Sequence, residues 1–393
     1  MPAALARRRN YRGPALFSYG FRPFFLGAAL WAMASILLWL PVYFGDFTLP
    51  VALAPLDWHI HEMLYGYVPA VVAGFLLTAI PNWTGRLPVN GPPLVMLFTA
   101  WLAGRIAMLC SARIGLAGAA AVDMIFLVML GAFALREVIA GRNWRNLRVV
   151  AVLAILIAGN VVFHIEVLRT GVANYGTRIG LAAIVGLIML IGGRVVPSFT
   201  HNWLVRMNPG RLPVSFNRFD GVCLAVAAVA LAGWVAVPDH PLVGAALFGA
   251  GAMHGLRLAR WGGDRTAADR LVLVLHIAYA FIPIGFLLLG AAALWPERVP
   301  ASAGIHAWTA GAIGLMTLAI MTRATLGHTG RALHASQGTE AIYAFAVAAA
   351  VARIVATFAA PVLLLHVAMA AWCIAFAGFA AVYGPMIVKP RLG

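Results

Sequence analysis

The chain has 393 residues, of which 63% are hydrophobic and only 10% charged, and it carries a formal net charge of +16. A soluble domain has about 25% charged residues, so an ordinary water-soluble fold is excluded. Nucleic-acid binding is excluded as well, because the basic residues are thin and sit between apolar runs, the pattern of loops facing anionic lipid.

Arg7-Arg8-Arg9 and Arg12 resemble the basic start of a signal peptide. The apolar run behind them is too long for a signal h-region, so it reads as a retained first helix. A helix needs about 20 apolar residues to cross the hydrocarbon of a bilayer. Runs of that kind predict twelve spans, over 22–43, 57–80, 92–111, 115–138, 147–168, 176–197, 219–237, 241–260, 270–294, 302–324, 336–360 and 361–387. Only Ala360-Pro361 separates the last two. The longest loop, Ser198 to Arg218, is too short to fold alone. Cys110, Cys223 and Cys373 form no CxxC pair and read as small apolar residues within helices. The expected fold class is all-α: a polytopic membrane protein, one transmembrane bundle forming a single domain over 1–393.

Charge sets the orientation. With both termini cytoplasmic, 22 of the 28 Lys and Arg residues face the cytoplasm, while Arg113, Arg169, Arg178 and Arg298 face outward. That bias is the positive-inside pattern. The other two, Arg105 and Arg353, fall within helices.

Histidines stand out against this background, because an ionisable group in hydrocarbon marks a functional site by default. Trp58-His59-Ile60-His61-Glu62-Met63 opens the second span. His59, His61, His164, His306 and His366, with Arg105, Asp123 and Arg353, are placed in one layer near the outer face. His254 and His276 lie toward the cytoplasm, on spans expected to be antiparallel neighbours, with Tyr279 one turn beyond His276 and able to hydrogen-bond there. His201, His328 and His334 belong to cytoplasmic loops. Imidazole is the commonest ligand for haem iron and copper, so His59, His61, His306, His276 and His254 are candidate metal ligands. His59 and His61 are two apart, about 200° around a helix, and are not expected to share one metal. His59 and Met63 do share a face. Arg105 and Arg353 have two readings: ion pairs with Asp123 and nearby carboxylates, or a grip on a haem propionate. His164 and His366 each read as lone packing residues or as ligands.

The motifs resemble the NnrS family. They are Gly20-Phe21-Arg22-Pro23-Phe24-Phe25, the Trp58-to-Met63 segment, Ala73 through Arg86, and Gly193-Arg194-Val195-Val196-Pro197-Ser198-Phe199-Thr200 with Asn202-Trp203. Later in the chain come Leu275-His276 with Tyr279, His306 before Gly311-Ala312-Ile313-Gly314, and Leu326-Gly327-His328-Thr329-Gly330-Arg331. The resemblance implies a multi-pass protein of the bacterial inner membrane, made in response to nitric oxide and often alongside denitrification. It implies haem and copper; haem b is the expected cofactor here, with copper left open as a second. By position, His59, His61, His276, His306 and His328 are the implied metal-binding residues, and His254 matches less closely.

A second, weaker likeness is to the haem–copper oxidases and nitric oxide reductases. Spans 2, 6 and 10 end in similar fashion, which suggests three four-helix units. The chain lacks their adjacent His-His pair and their paired histidines in span 10, so fold-level likeness is an analogy only. Three functions follow as expectations. The first is a haem protein that binds or detoxifies nitric oxide in the response to nitrosative stress. The second is a quinol-linked redox enzyme using Glu62, Asp123 and Glu340 as proton carriers. The third is a haem or metal transporter or chaperone.

Overall fold

A computed structural model describes residues 11–392. Arg7, Arg8 and Arg9 lie outside the described residues. Among those described there is no strand, and twelve helices are long and apolar enough to cross a membrane. In chain order they are α1 Phe21–Phe44, α2 Pro55–Thr84, α3 Pro92–Leu109, α4 Leu116–Ala140, α5 Trp144–Thr170, α6 Tyr175–Met207, α7 Arg218–Ala236, α8 Pro241–Arg265, α9 Arg270–Leu294, α10 Ala301–His328, α11 Gln337–Val355 and α12 Pro361–Val388. The protein is an all-helical, multi-pass membrane protein. Its backbone polar groups are satisfied within each helix, as hydrocarbon demands.

Most helices match the spans expected from the sequence to within a few residues. The largest difference is α6, which runs through Pro197 to Met207, so much of the expected Ser198–Arg218 loop is helix. The reason is visible in the motif. Helices α2 and α10 stop where Gly85 and Gly330 take φ values of 70° and 78°, the left-handed region that favours glycine. The equivalent point in α6 carries His201, and the helix continues. At the other insecure place, α11 ends at Val355, Ala360 takes a positive φ, and Pro361 opens α12.

Three helices contain a π stretch, in which the turn is wider than in an α-helix: Glu62–Tyr67 in α2, Ile188–Gly192 in α6 and Ala307–Gly314 in α10. They recur at every fourth span, and such bulges concentrate at functional sites.

The chain packs as two compact units. Of the described residues, the first holds 11–183, Ala324–Ala332 and 379–392; the second holds Ile184–Arg323 and Leu333–Gly378. In the first unit, Arg22 of the Gly20-to-Phe25 motif is buried and donates to the carbonyls of Ile387 and Lys389, tying the end of α12 to the start of α1. His328 lies with its ring 5.4 Å from that of Tyr19 and 5.6 Å from that of Phe21. Glu166 accepts from the N–H groups of Asn174, Tyr175 and Gly176, which satisfies the start of α6.

Candidate metal centre

In the first unit, four helices deliver polar side chains to one buried point. His61 and Glu62 come from α2, Arg105 from α3, Asp123 from α4, and Asn160 with His164 from α5; all six are buried. Asn160 and His164 are one turn apart and so share a face. The π stretch begins at Glu62, and its wider turn lets adjacent His61 and Glu62 serve the same cluster. Arg105 is the hub. Its Nη1 donates to Glu62 Oε2 at 2.6 Å and its Nη2 to Asp123 Oδ1. Trp31 Nε1 also donates to Glu62 Oε2, at 2.8 Å. A Cβ on Gly66 would lie 2.5 Å from Arg105 Nη1, so the glycine leaves the guanidinium its place.

The remaining carboxylate oxygen collects the rest. Asp123 Oδ2 lies 2.8 Å from Asn160 Nδ2, 3.1 Å from His164 Nε2 and 3.3 Å from His61 Nε2. His61 Nδ1 in turn lies 2.9 Å from Glu62 Oε1. Two carboxylates and one guanidinium leave a single negative charge, and net charge is costly in a dry interior. A proton on an imidazole or a bound cation balances it.

His61, Asp123 and His164 each offer one ligand atom, all within 4.8 Å of one another. Bonds of about 2.0–2.2 Å from nitrogen and oxygen suit a transition-metal ion, and the 3.1 and 3.3 Å edges to Asp123 are those of such a coordination shell. Two imidazoles and a carboxylate therefore fit a bare ion such as copper or non-haem iron. They do not fit a porphyrin. Asp123 stands against both imidazoles, and Asn160 and Arg105 close in on the same carboxylate, so no planar macrocycle passes between the rings.

A second buried network lies in the second unit. Arg257 of α8 donates from Nε to Asp220 at 2.9 Å and from Nη1 to Tyr279 Oη at 2.9 Å. The same Nη1 donates to the Met189 carbonyl, at 3.1 Å, in the π stretch of α6. Tyr279 Oη lies 2.9 Å from His254 Nδ1. Arginine only donates, so the phenolic proton goes to His254 Nδ1, and His254 carries its own proton on Nε2. That nitrogen is buried on the side of the Cys223 backbone. Tyr279 thus serves His254 and not His276, although it was expected one turn along from the latter. His276 Nε2 is 2.8 Å from Thr200 Oγ1, whose own proton is used on the Val196 carbonyl, and its Nδ1 packs against Gly263.

Gly193 of the Gly193-to-Thr200 motif has a structural explanation here, since a Cβ at that position would overlap the Arg257 guanidinium. Asp220, Tyr279 and Met189 pin that group, so it has nowhere to retreat. Gly193→Ala is expected to destabilise the protein by about 2–3 kcal/mol. Gly221→Ala, in α7 with no atom within 4 Å of the new Cβ, should be neutral or slightly stabilising. Thermal unfolding of the two variants in one detergent separates them.

The other expected residues take separate positions. His59 stacks on Trp39, ring centres 4.1 Å apart, away from the partners of His61, as two positions about 200° apart require. Met63 Sδ lies 3.4 Å from Ser35 Oγ, whose proton goes to the Trp31 carbonyl at 2.7 Å. His306, just before the π stretch of α10, donates from Nδ1 to the Ser302 carbonyl at 2.7 Å, which puts its proton on that nitrogen. His366 makes the same kind of bond to Val362 and is exposed. His306, Arg353 and His366 belong to the second unit. Arg105 takes the ion-pair role of its two readings. Glu340 is half-exposed in the first turn of α11, 3.8 Å from Arg270, which corrects its reading as an intramembrane proton carrier. Sequence reasoning gave Asn160 no role at all; the signal was an amide four residues from a histidine in an otherwise apolar run.

No curated protein matches the chain. The family model described as NnrS protein matches residues 15–391, nearly the whole chain. A twelve-span helical protein that matches this model from end to end belongs to the NnrS family and is a membrane protein of the nitric oxide response.

Proposed function

We propose that this protein binds or detoxifies nitric oxide at a histidine-ligated metal centre in the bacterial inner membrane, as one transmembrane domain over residues 1–393. The observation that carries the reading is the buried His61–Asp123–His164 group, a donor set suited to copper, with Arg105, Glu62 and Asn160 orienting its carboxylate. Haem b sits elsewhere in this reading. His306 is the residue that would hold it, because its Nδ1–H is fixed on the Ser302 carbonyl and its ring, unlike that of His366, is partly buried. A reduced iron or copper held there would supply the chemistry for binding nitric oxide. The chain's own part is to hold the ligands rigid, exclude water and balance charge. The π stretches at every fourth span support an arrangement in three four-helix units.

The quinol-linked alternative needs mobile protons. Glu62 and Asp123 are both locked to Arg105, which favours binding over turnover.

Optical spectra of purified protein, oxidised and reduced, with metal analysis beside them, test the proposal. His306→Ala should abolish the haem band, and His61→Ala should remove copper while leaving that band in place. A wild-type protein with neither haem nor copper after purification from metal-replete cells would end it.

A further inference from the structure

Arg323 stands five residues before the end of α10, its guanidinium carbon 4.2 Å from the centre of the Phe199 ring of α6. Its Nη1 is buried and has no hydrogen-bond acceptor. The charged side chains that act on it are Asp269 and Arg206. Asp269 turns its Oδ1 to the N–H groups of Leu271 and Val272 at the start of α9 and acts on Arg323 only at longer range, with no ion pair between them. Arg206 Nε donates to its own helix, to the Asn202 carbonyl, so it adds a like charge and no neutralisation. Two guanidinium groups therefore share one end of α6 and α10, and among the described residues neither forms an ion pair with a carboxylate.

Beside them the surface turns apolar. Val205 and Met207, on either side of Arg206, are 50% and 69% exposed. The ground is firm, because Arg265 holds the loop after α6 by donating to the carbonyls of Asn208 and Pro209, each at 2.9 Å. An unpaired, partly desolvated cation is costly. The guanidinium lies over the Phe199 ring with Nη1 covered, which leaves the Nε and Nη2 edge for a ligand. At 1.5 Å rise per residue, Arg323 lies about 7.5 Å inside the helix end, a depth from which a long side chain reaches the headgroup layer.

We propose that Arg323 and Arg206 form a binding site for the phosphate group of an anionic phospholipid. The guanidinium fork matches phosphate oxygens, and the acyl chains lie along Val205 and Met207. This site is independent of the metal centre.

Native mass spectrometry of the purified full-length protein, titrated with phosphatidylglycerol or phosphatidylcholine, tests the assignment. Wild type should bind phosphatidylglycerol about thirtyfold more tightly, as two arginines near a headgroup would give. Arg323→Gln and Arg206→Gln should each cut that preference about fivefold, and exposed Arg298→Gln should leave it intact. Inorganic phosphate at millimolar concentration should not displace the lipid. Equal binding of the two lipids by wild type, or a preference undiminished in Arg323→Gln, overturns the proposal. Displacement by inorganic phosphate would make this a free-anion site and overturns the lipid assignment. If Arg323→Gln fails to fold, Phe199→Leu decides the matter: it keeps both charges and removes the stacking, and unchanged lipid preference would count against the site.

Discussion

Arg105→Gln is expected to be the most damaging single substitution in the first unit. Glutamine fills much of the same volume but withdraws the charge that faces both Glu62 and Asp123. Breaking a buried ion pair from one side leaves an uncompensated charge and typically costs about 3–5 kcal/mol. Here two carboxylates lose their common partner, so the loss should reach the upper part of that range. The check is thermal unfolding in detergent, with Arg86→Gln for comparison. Arg86 also pairs with a buried carboxylate, Glu137, yet its own side chain is 46% exposed, so water and salt screen the pair and its loss should cost about 1 kcal/mol or less. Equal effects of the two substitutions would mean that the Arg105 hub is not the dry ionic centre described above.

Metal content is the second large effect. His164→Ala and His61→Ala each remove one of three donors and should lower the bound metal ion to background. Asn160→Ala removes only a hydrogen bond to the ligating oxygen, and loss of such an orienting partner costs about 10–100-fold in metal affinity. His366→Ala, whose ring is exposed and bonded to its own helix, should leave metal content unchanged. The graded order, ligand then orienting amide then exposed histidine, is the informative result. A metal content indifferent to His164 would move the centre away from this cluster.

Part of this centre was legible in the residues alone. His61, Arg105 and Asp123 interrupt apolar runs, and each is costly there unless paired. His164 was ambiguous, because a lone histidine in a span packs as readily as it ligates. Asn160 was invisible, since an amide carries less cost and less signal than a charge. The helix interruption after His61 could not be read either. A π stretch depends on which neighbouring side chains and carbonyls compete for the turn, and that competition comes from other helices. For the same reason Tyr279 was assigned to His276, its neighbour along the helix, when the partner it found was His254, across the interface between α8 and α9.

By itself the sequence determined the solvent and the class: twelve lipid-spanning helices, their approximate limits, and the family whose model the chain matches. Those follow from local terms, because the transfer of each residue into hydrocarbon adds up along the chain. Tertiary structure alone decided which polar groups meet. Rotation of each helix about its axis turned a scattered set of ionisable residues into one balanced cluster around Asp123 and a second around Arg257. That choice is made by packing between segments far apart in the chain, where no periodicity in the sequence records it.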